Sequence, residues 1–313
     1  EKQEPQKQEN MEQRKEQHYH FYLLRCIPAF TRFLFLLFAF LFFIIYTASA
    51  HIQYTEGGFF MKLKPWMNNS YILSGTTLRD PHEKENGNMA LHVPGNKDNI
   101  LENRKAFGKE IGKDLSDCVF ACQTHSDHFY KVENKDKGKG SLHYEDGIAD
   151  CDALYTTEKG IVLGVFHADC VPVLLYDPIT SLVAAIHSGW QGTVKEITSK
   201  VVSHIIQTEG VDPANLQAYI GCAIEKNSLE IGMDVIEKVQ AMSFDTSSYL
   251  IRKNEDKAYM DNKGLNMQML LNAGVLAENI HIDRNDTFQE NDAFFSYRRD
   301  HNCGRHMTYI MLK

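Results

Sequence analysis

Three residues of this chain have the types to hold one metal ion together: His125, Cys170 and His187. Each follows an apolar, strand-like run: Val119–Cys122 before His125, Ile161–Phe166 before Cys170, and Leu182–Ile186 before His187. Strand ends are stiff, so side chains placed there converge with little loss of entropy. Two imidazoles and a thiolate suit zinc, and three protein ligands leave a fourth position open for water or substrate. Singly, each residue also has a plain structural reading. A lone buried Cys acts as a small hydrophobe, and a lone His beside an apolar run hydrogen-bonds in place. No CxxC or HExxH spacing decides the matter, and other donors compete. His125-Ser126-Asp127-His128 would chelate if helical, although His128 reads equally as an exposed loop residue, and Cys122 and Cys151 lie nearby in sequence. The same residues also allow a Cys170 nucleophile with His187 as its base.

Asp169, beside Cys170, is placed to orient or deprotonate a metal-bound water, or to fix a metal histidine from behind. His167 adjoins it, but strand alternation turns neighbouring residues to different faces. A second concentration of chemistry is Ser296-Tyr297-Arg298-Arg299-Asp300, followed by Gly304-Arg305. Guanidinium forks suit phosphate or carboxylate, although surface ion pairing explains the same run. Arg79, after Thr76-Thr77-Leu78, has the same two readings.

These side chains need a frame. Asp98 is read as the cap of a helix over Asn99–Gly112, and Lys135–Ser141 as a surface loop. The apolar runs around 161–186 read as strands buried on both faces. Thr193 reads as the cap of a helix carrying Val194, Ile197, Val201 and Ile205 and stopped by Gly210. Leu216–Ile220 and Ile280–Ile282 read as strands, Lys263–Asn272 as a helix closed by Gly274, and Phe294–Tyr297 and Met307–Leu312 as final strands. Mixed strands and helices predict an α/β or α+β domain with a large central sheet system.

The chain has 313 residues, 43% hydrophobic and 24% charged. That excludes a disordered chain, a collagen-like fibre and a many-pass membrane protein. Lys+Arg is 33 against Asp+Glu 41, a net charge of −8. The basic excess that drives nucleic-acid binding through counterion release is lacking, which argues against DNA or RNA as partner. Seven cysteines, unevenly spaced, read as reduced thiols rather than a disulfide scaffold.

Residues 1–60 differ from the rest. Glu1–Gln17 is too polar to bury a core. Phe33–Tyr46 is apolar but shorter than the roughly 20 residues of a spanning helix. With Arg25 and Arg32 before it and Thr47-Ala48-Ser49-Ala50 after it, the run reads as a secretory signal cleaved before His51, or as a membrane anchor. A third reading is preferred. Glu56-Gly57-Gly58 can be encoded by a purine-rich ribosome-binding sequence, and Met61 follows at a short spacing. The expectation is a start at Met61, no membrane contact, a cytoplasmic enzyme, and a single catalytic domain over 61–313. Otherwise residues 33–50 would make it secreted or membrane-anchored.

In order along the chain stand Thr77-Leu78-Arg79, Asn88-Met89-Ala90-Leu91-His92, Asn103-Arg104, Gln123-Thr124-His125 and Asp152-Ala153-Leu154. Ala168-Asp169-Cys170-Val171-Pro172-Val173-Leu174 and His187-Ser188-Gly189-Trp190-Gln191-Gly192 follow. Ile220-Gly221, Ile231-Gly232, Phe294-Phe295-Ser296-Tyr297-Arg298-Arg299 and Gly304-Arg305 complete the series. In these blocks, nearly all of 61–313 resembles the laccase-domain family, also called the peptidoglycan-editing-factor or polyphenol-oxidase family. The resemblance implies one layered domain, with helices outside two packed mixed sheets. It implies zinc on His125, Cys170 and His187, with copper as the alternative metal. It implies purine nucleoside phosphorylase and adenosine deaminase activities on adenosine, inosine, guanosine and methylthioadenosine. Asp169, Arg79 and Arg298 are then the catalytic candidates. Arg79, Asn88, His92, Tyr297, Arg298 and Arg305 are the candidates for contacts to nucleoside and phosphate. The chain departs from the family pattern at Asp80-Pro81-His82-Glu83-Lys84, Ser126, His167, Cys222 and Cys303. These departures bear on the substrate loop and base preference more than on the metal. Rival readings are a copper polyphenol oxidase, a cysteine hydrolase and a cell-wall editing factor. The first lacks support in the sequence, because the only His-x-His pair is His18-Tyr19-His20.

Overall fold

The computed structural model describes residues 61–313. The expectations for the polar leader, the apolar run 33–46 and the cleavage site lie outside the described residues. Among the described residues no helix is long and apolar enough to cross a membrane.

Fourteen strands build three sheets. The first has the order β1 (Leu63–Asn68), β2 (Ile72–Thr77), β14 (His306–Leu312), β6 (Val162–His167), β3 (Cys118–Phe120). The second runs β13 (Ile280–Ile282), β9 (Gln217–Ile220), β7 (Val171–Asp177), β8 (Leu182–Ser188), β5 (Ala153–Thr156), β4 (Phe129–Lys131). Both are mixed: β3 runs parallel to β6, β4 to β5 and β13 to β9, and the remaining pairs are antiparallel. A small antiparallel sheet has the order β10 (Glu230–Gly232), β12 (Lys257–Met260), β11 (Leu250–Arg252). Among the described residues five α-helices pack beside these sheets: α1 (Lys97–Ile111), α2 (Trp190–Val194), α3 (Ile197–Glu209), α4 (Met233–Gln240) and α5 (Asn262–Asn272).

The unbroken apolar runs follow from this layering. Leu163, Val165 and Ile310 of the first sheet share one buried cluster with Leu174, Val183 and Ala185 of the second. The opposite face of the second sheet, with Val173, Leu175 and Ile186, packs on Ile197, Val201 and Ile205 of α3 and Leu270 of α5. The opposite face of the first, with Val162, Phe166 and Tyr309, packs on Phe107 of α1. Strands covered on both sides have no polar face to show, and each fully buried aliphatic side chain contributes roughly 1.5–3 kcal/mol.

Local differences from the sequence reading have local causes. The first helix is capped by Asn96, whose side chain accepts from the Asp98 and Asn99 amides; Asp98 lies inside its first turn, where a negative charge suits the helix dipole. Thr193 caps nothing. Its hydroxyl is buried against Ser188 and Asn262, and α3 begins only after Glu196, whose φ of 60° interrupts the helical path. Gly210 and Gly274 do stand at helix ends with φ of 72° and 94°. Phe294–Tyr297 is not a strand. Phe294 and Phe295 are buried in a loop wrapped round His306, and the Phe295 amide donates to the His306 Nε2.

Candidate metal centre and its cavity

The chain leaves the first sheet at His167 and enters the second at Val171. Cys170 stands at that corner. Its neighbour Asp169 has a φ of 83°, a left-handed conformation unusual for a residue with a side chain. The strain is offset by anchoring. The Asp169 Oδ1 accepts from the Thr287 hydroxyl, and its Oδ2 accepts from the Ser296 hydroxyl and the Arg298 amide. Its carbonyl accepts from the Ile224 amide.

His187 lies within β8 rather than beyond it, and His125 lies in a loop beyond β3, with φ of 59°. That loop is folded by Asp152, just ahead of β5. Its buried carboxylate accepts from the amides of Thr124, His125 and Ser126 and from the Ser126 hydroxyl. It also receives the His187 Nδ1–H at 2.8 Å. This fixes the tautomer and leaves the His187 Nε2 as the free donor atom, a common arrangement behind metal-bound histidines. The carboxylate behind the His187 ring is therefore Asp152, while Asp169 pairs with Thr287, Ser296 and Arg298. The sequence does place an acid directly ahead of a buried strand, but which loop folds over it is a long-range matter.

Ligand atoms of His125, Cys170 and His187 all lie within 4.8 Å of one another, with the Cys170 Sγ 3.8 Å from the His125 Nε2. Zinc–ligand bonds of roughly 2.0–2.3 Å require donors about 3.4–3.6 Å apart, so small adjustments complete the set. Gly189 makes the room: a Cβ there would lie 2.8 Å from the His125 Cδ2 and 2.9 Å from the Cys170 Sγ. Burial by itself would raise the Cys170 thiol. The charge of His187 and the hydrogen bonds of His125 and His187 outweigh it and bring the thiol down to about 6. Burial likewise works against the His187 cation, but the Cys170 charge and the Asp152 carboxylate hold it up at about 10. A cation binding here takes a thiolate directly and displaces the His187 proton. Of the rival donors, His128 is exposed and paired with Asp150, the Cys122 thiol donates to the Tyr144 carbonyl, and that of Cys151 to the Ala153 carbonyl.

The three donors open onto a cavity of about 640 Å³. His92, Phe166 and Trp190 supply flat surfaces to its wall. The peptide of Phe166 is clamped on both sides by the Gln123 carboxamide. His92 stands 5.9 Å from the Phe166 ring, edge to face, and its pKa is pulled down to about 4 by burial and then by the charges of Arg305 and Arg104. Tyr297, Arg298 and Arg305 line the mouth. The Arg298 guanidinium donates to the Glu230 carbonyl, and that of Arg305 to the Cys303 and Gly304 carbonyls. Arg305 also lies over the Tyr297 ring at 5.4 Å.

Residues 75–313 match the family described as multi-copper polyphenol oxidoreductase laccase. The chain belongs to this family. It is a family of enzymes, and this laccase-family chain carries the metal-donor set described above. It is 33% identical over 251 residues to the purine nucleoside phosphorylase YlmD of Bacillus subtilis (strain 168), covering 79% of this chain and 90% of that one. It is 33% identical over 228 residues to the adenosine deaminase RL5 of an unknown prokaryotic organism, covering 72% and 87%. The crystal structure of the Bacillus licheniformis hypothetical protein YfiH superposes with a TM-score of 0.76 at 32% identity, covering 80% of this chain and 99% of that one.

Two candidate residues lie away from the cavity of this laccase-family chain. Arg79 is not in the lining: its guanidinium donates to the Asn291 carbonyl and its amide to the Ala293 carbonyl. Asn88 is buried outside the lining, where its carboxamide oxygen accepts from the Ala90 and Arg305 amides. Its part is to place Arg305. Gln123, Asp152, Gly189 and Asn262 complete the site's supports, and residue types alone did not single them out.

Proposed function

We propose that the chain is a zinc-dependent purine nucleoside phosphorylase that also deaminates adenosine. One observation carries the reading: the three-donor group and two guanidinium groups share a single cavity with flat, largely apolar walls. The names of the relatives point the same way. A volume near 640 Å³ lies in the usual range for a small-molecule site. Phe166, His92 and Trp190 offer ring surface on the cavity wall against which a purine would pack. Arg298 and Arg305 receive phosphate, whose charge they hold in line with the ribose C1′ while the purine leaves. Asp169 orients or accepts a proton near the donors, since its Oδ1 accepts only one protein hydrogen bond and keeps capacity for another.

Zinc held by His125, Cys170 and His187 would supply the Lewis acidity that activates water for attack on the purine C6. Copper is less well supported. Two His and one Cys also suit a blue-copper centre, but the reactions named for the relatives, phosphorolysis and deamination, change no oxidation state and need no redox metal. We place the catalytic domain at 61–313 and, with a start at Met61, in the cytoplasm; the intact mass of the natural protein tests both.

The activity test is incubation with adenosine, inosine and methylthioadenosine, with and without phosphate. Phosphate-dependent release of free base is expected, with inosine formed from adenosine as the second activity. Absence of both would leave a cell-wall editing role ahead. The lowered Cys170 thiol beside His187 favours one second reading, a cysteine hydrolase. Activity that survives metal removal but not thiol alkylation would select it.

A further inference from the structure

One stretch of chain presents the mouth of the cavity. Tyr297, Arg298, His301 and Arg305 all line it. Arg299, between them in sequence, is committed elsewhere: its guanidinium donates to the Thr287, Phe288 and Phe294 carbonyls. The stretch turns back where the Cys303 amide donates to the Asp300 carbonyl, and His301 stands in that turn. His301 is exposed and lines the cavity, so a solute at the mouth can reach its ring. The ring meets that of Tyr297 at 4.5 Å between centres and 69° between planes. The Arg305 guanidinium lies over the same tyrosine ring at 5.4 Å, so Tyr297 holds both side chains at the mouth. Neither His301 nitrogen has a hydrogen-bond partner among the described residues, and an imidazole carries at least one N–H in either protonation state.

We infer that His301 is a third phosphate contact, its ring N–H donating to the anion that Arg298 and Arg305 hold. The inference rests on the phosphorolysis reading above. Both guanidinium groups already share N–H groups with carbonyls, Arg298 with that of Glu230 and Arg305 with those of Cys303 and Gly304. Phosphate has several acceptor oxygens, and a further donor beside the arginines pairs with one of them. The carboxylate at this edge, that of Glu230, is paired with Lys253 and Lys257, which limits its repulsion of an anion. An exposed histidine far from any cavity would need no such account; this one shares its wall with two guanidinium groups.

Two substitutions separate the N–H from the ring. His301→Phe keeps a ring against Tyr297 and loses both nitrogens. His301→Gln loses the ring and keeps an N–H donor. The KM values for phosphate and for inosine are measured on the full chain, with metal content and melting temperature alongside. His301→Phe is expected to raise the phosphate KM about tenfold, the effect of losing one hydrogen bond to a charged group, and the inosine KM by less than about threefold. His301→Gln is expected to keep the phosphate KM within about threefold of wild type. A residue that only holds Tyr297 in place gives the reverse order, with His301→Phe normal and His301→Gln impaired. A phosphate KM changed less than about threefold in His301→Phe overturns the inference, as does an equal rise in the KM values of phosphate and inosine. Should turnover in a variant be too low to measure, ³¹P NMR titration with inorganic phosphate decides: weaker binding to His301→Phe than to wild type upholds the inference, and equal binding overturns it. A wild type without phosphate-dependent base release removes the functional reading and this inference with it. Normal phosphorolysis with an unaltered His301→Phe removes the inference alone.

Discussion

Cys170 is the only thiolate in the donor set, so Cys170→Ala leaves two imidazoles and a weak site. Metal content is expected to fall well below one ion per chain after mild chelation, and His125→Ala and His187→Ala to behave alike. Cys122→Ala, Cys151→Ala and His128→Ala should keep their metal, because those side chains are paired elsewhere. Elemental analysis checks this; metal loss from His128→Ala would mean that a fourth protein ligand closes the site. The arginines differ in the same way. Arg298→Ala or Arg305→Ala is expected to raise the phosphate KM about ten- to hundredfold, the usual effect of losing a charge-assisted contact of about 1.5–3 kcal/mol. Arg79→Ala should leave it unchanged, since Arg79 lies outside the cavity lining. Equal phosphate kinetics in all three would make Arg298 and Arg305 structural. Residue types and their place beside apolar runs were enough to nominate His125, Cys170 and His187. They could not rank Arg79 below Arg305, because which guanidinium reaches the cavity wall depends on contacts between distant parts of the chain.

At the scale of elements, the site depends on a corner between two sheets and on the close passage of the segment that leads into α2. Gly189 begins that segment with φ of −63°, which alanine adopts freely. The atoms nearest to a side chain there belong to the donors His125 and Cys170 themselves. Gly189→Ala is therefore expected to weaken metal binding at least about tenfold, in line with changes to groups that support metal ligands, and to change the melting temperature little. A competitive chelator titration with a thermal melt tests this, and unaltered affinity would show that the donors can move aside. The long strands β6, β7 and β8 were legible because burial on both faces leaves an unbroken apolar run. The three-residue strands β10 and β11 were not, since neither shows the apolar alternation of Ile280-His281-Ile282 that marks the equally short β13. The Phe294–Tyr297 loop misled for the opposite reason: it is apolar because it wraps a buried histidine, not because it pairs in a sheet.

Across the described residues as a whole, charge and burial set how stability responds to acid. His167 and His306 are buried; burial, then the charges of His306, His187 and Arg305, lowers His167, and burial lowers His306 to about 4 against the opposing pull of its backbone hydrogen bonds. An unfolded histidine takes up a proton near pH 6.5, whereas these remain neutral in the fold. The unfolded chain thus binds more protons, and stability present above about pH 6.5 is lost as pH falls toward 4. Each such group contributes up to about 1.4 kcal/mol per pH unit in that window. Melting temperatures at pH 7.5, 6.5 and 5.5 should therefore decline well before the carboxylates titrate; a flat profile down to pH 5 would contradict the assignment of these residues as buried and neutral. Strands buried on both faces were legible from the apolar runs, and two packed mixed sheets between helices only from the family resemblance, while the packing of His167 against His306 was not legible, because it joins positions far apart in the chain. The most direct measurement is inosine formation from adenosine by the wild-type chain before chelation, after it, and after zinc is returned. The account predicts that turnover falls with the metal and recovers with about one zinc per chain. Undiminished turnover in protein shown by elemental analysis to be free of metal would contradict it.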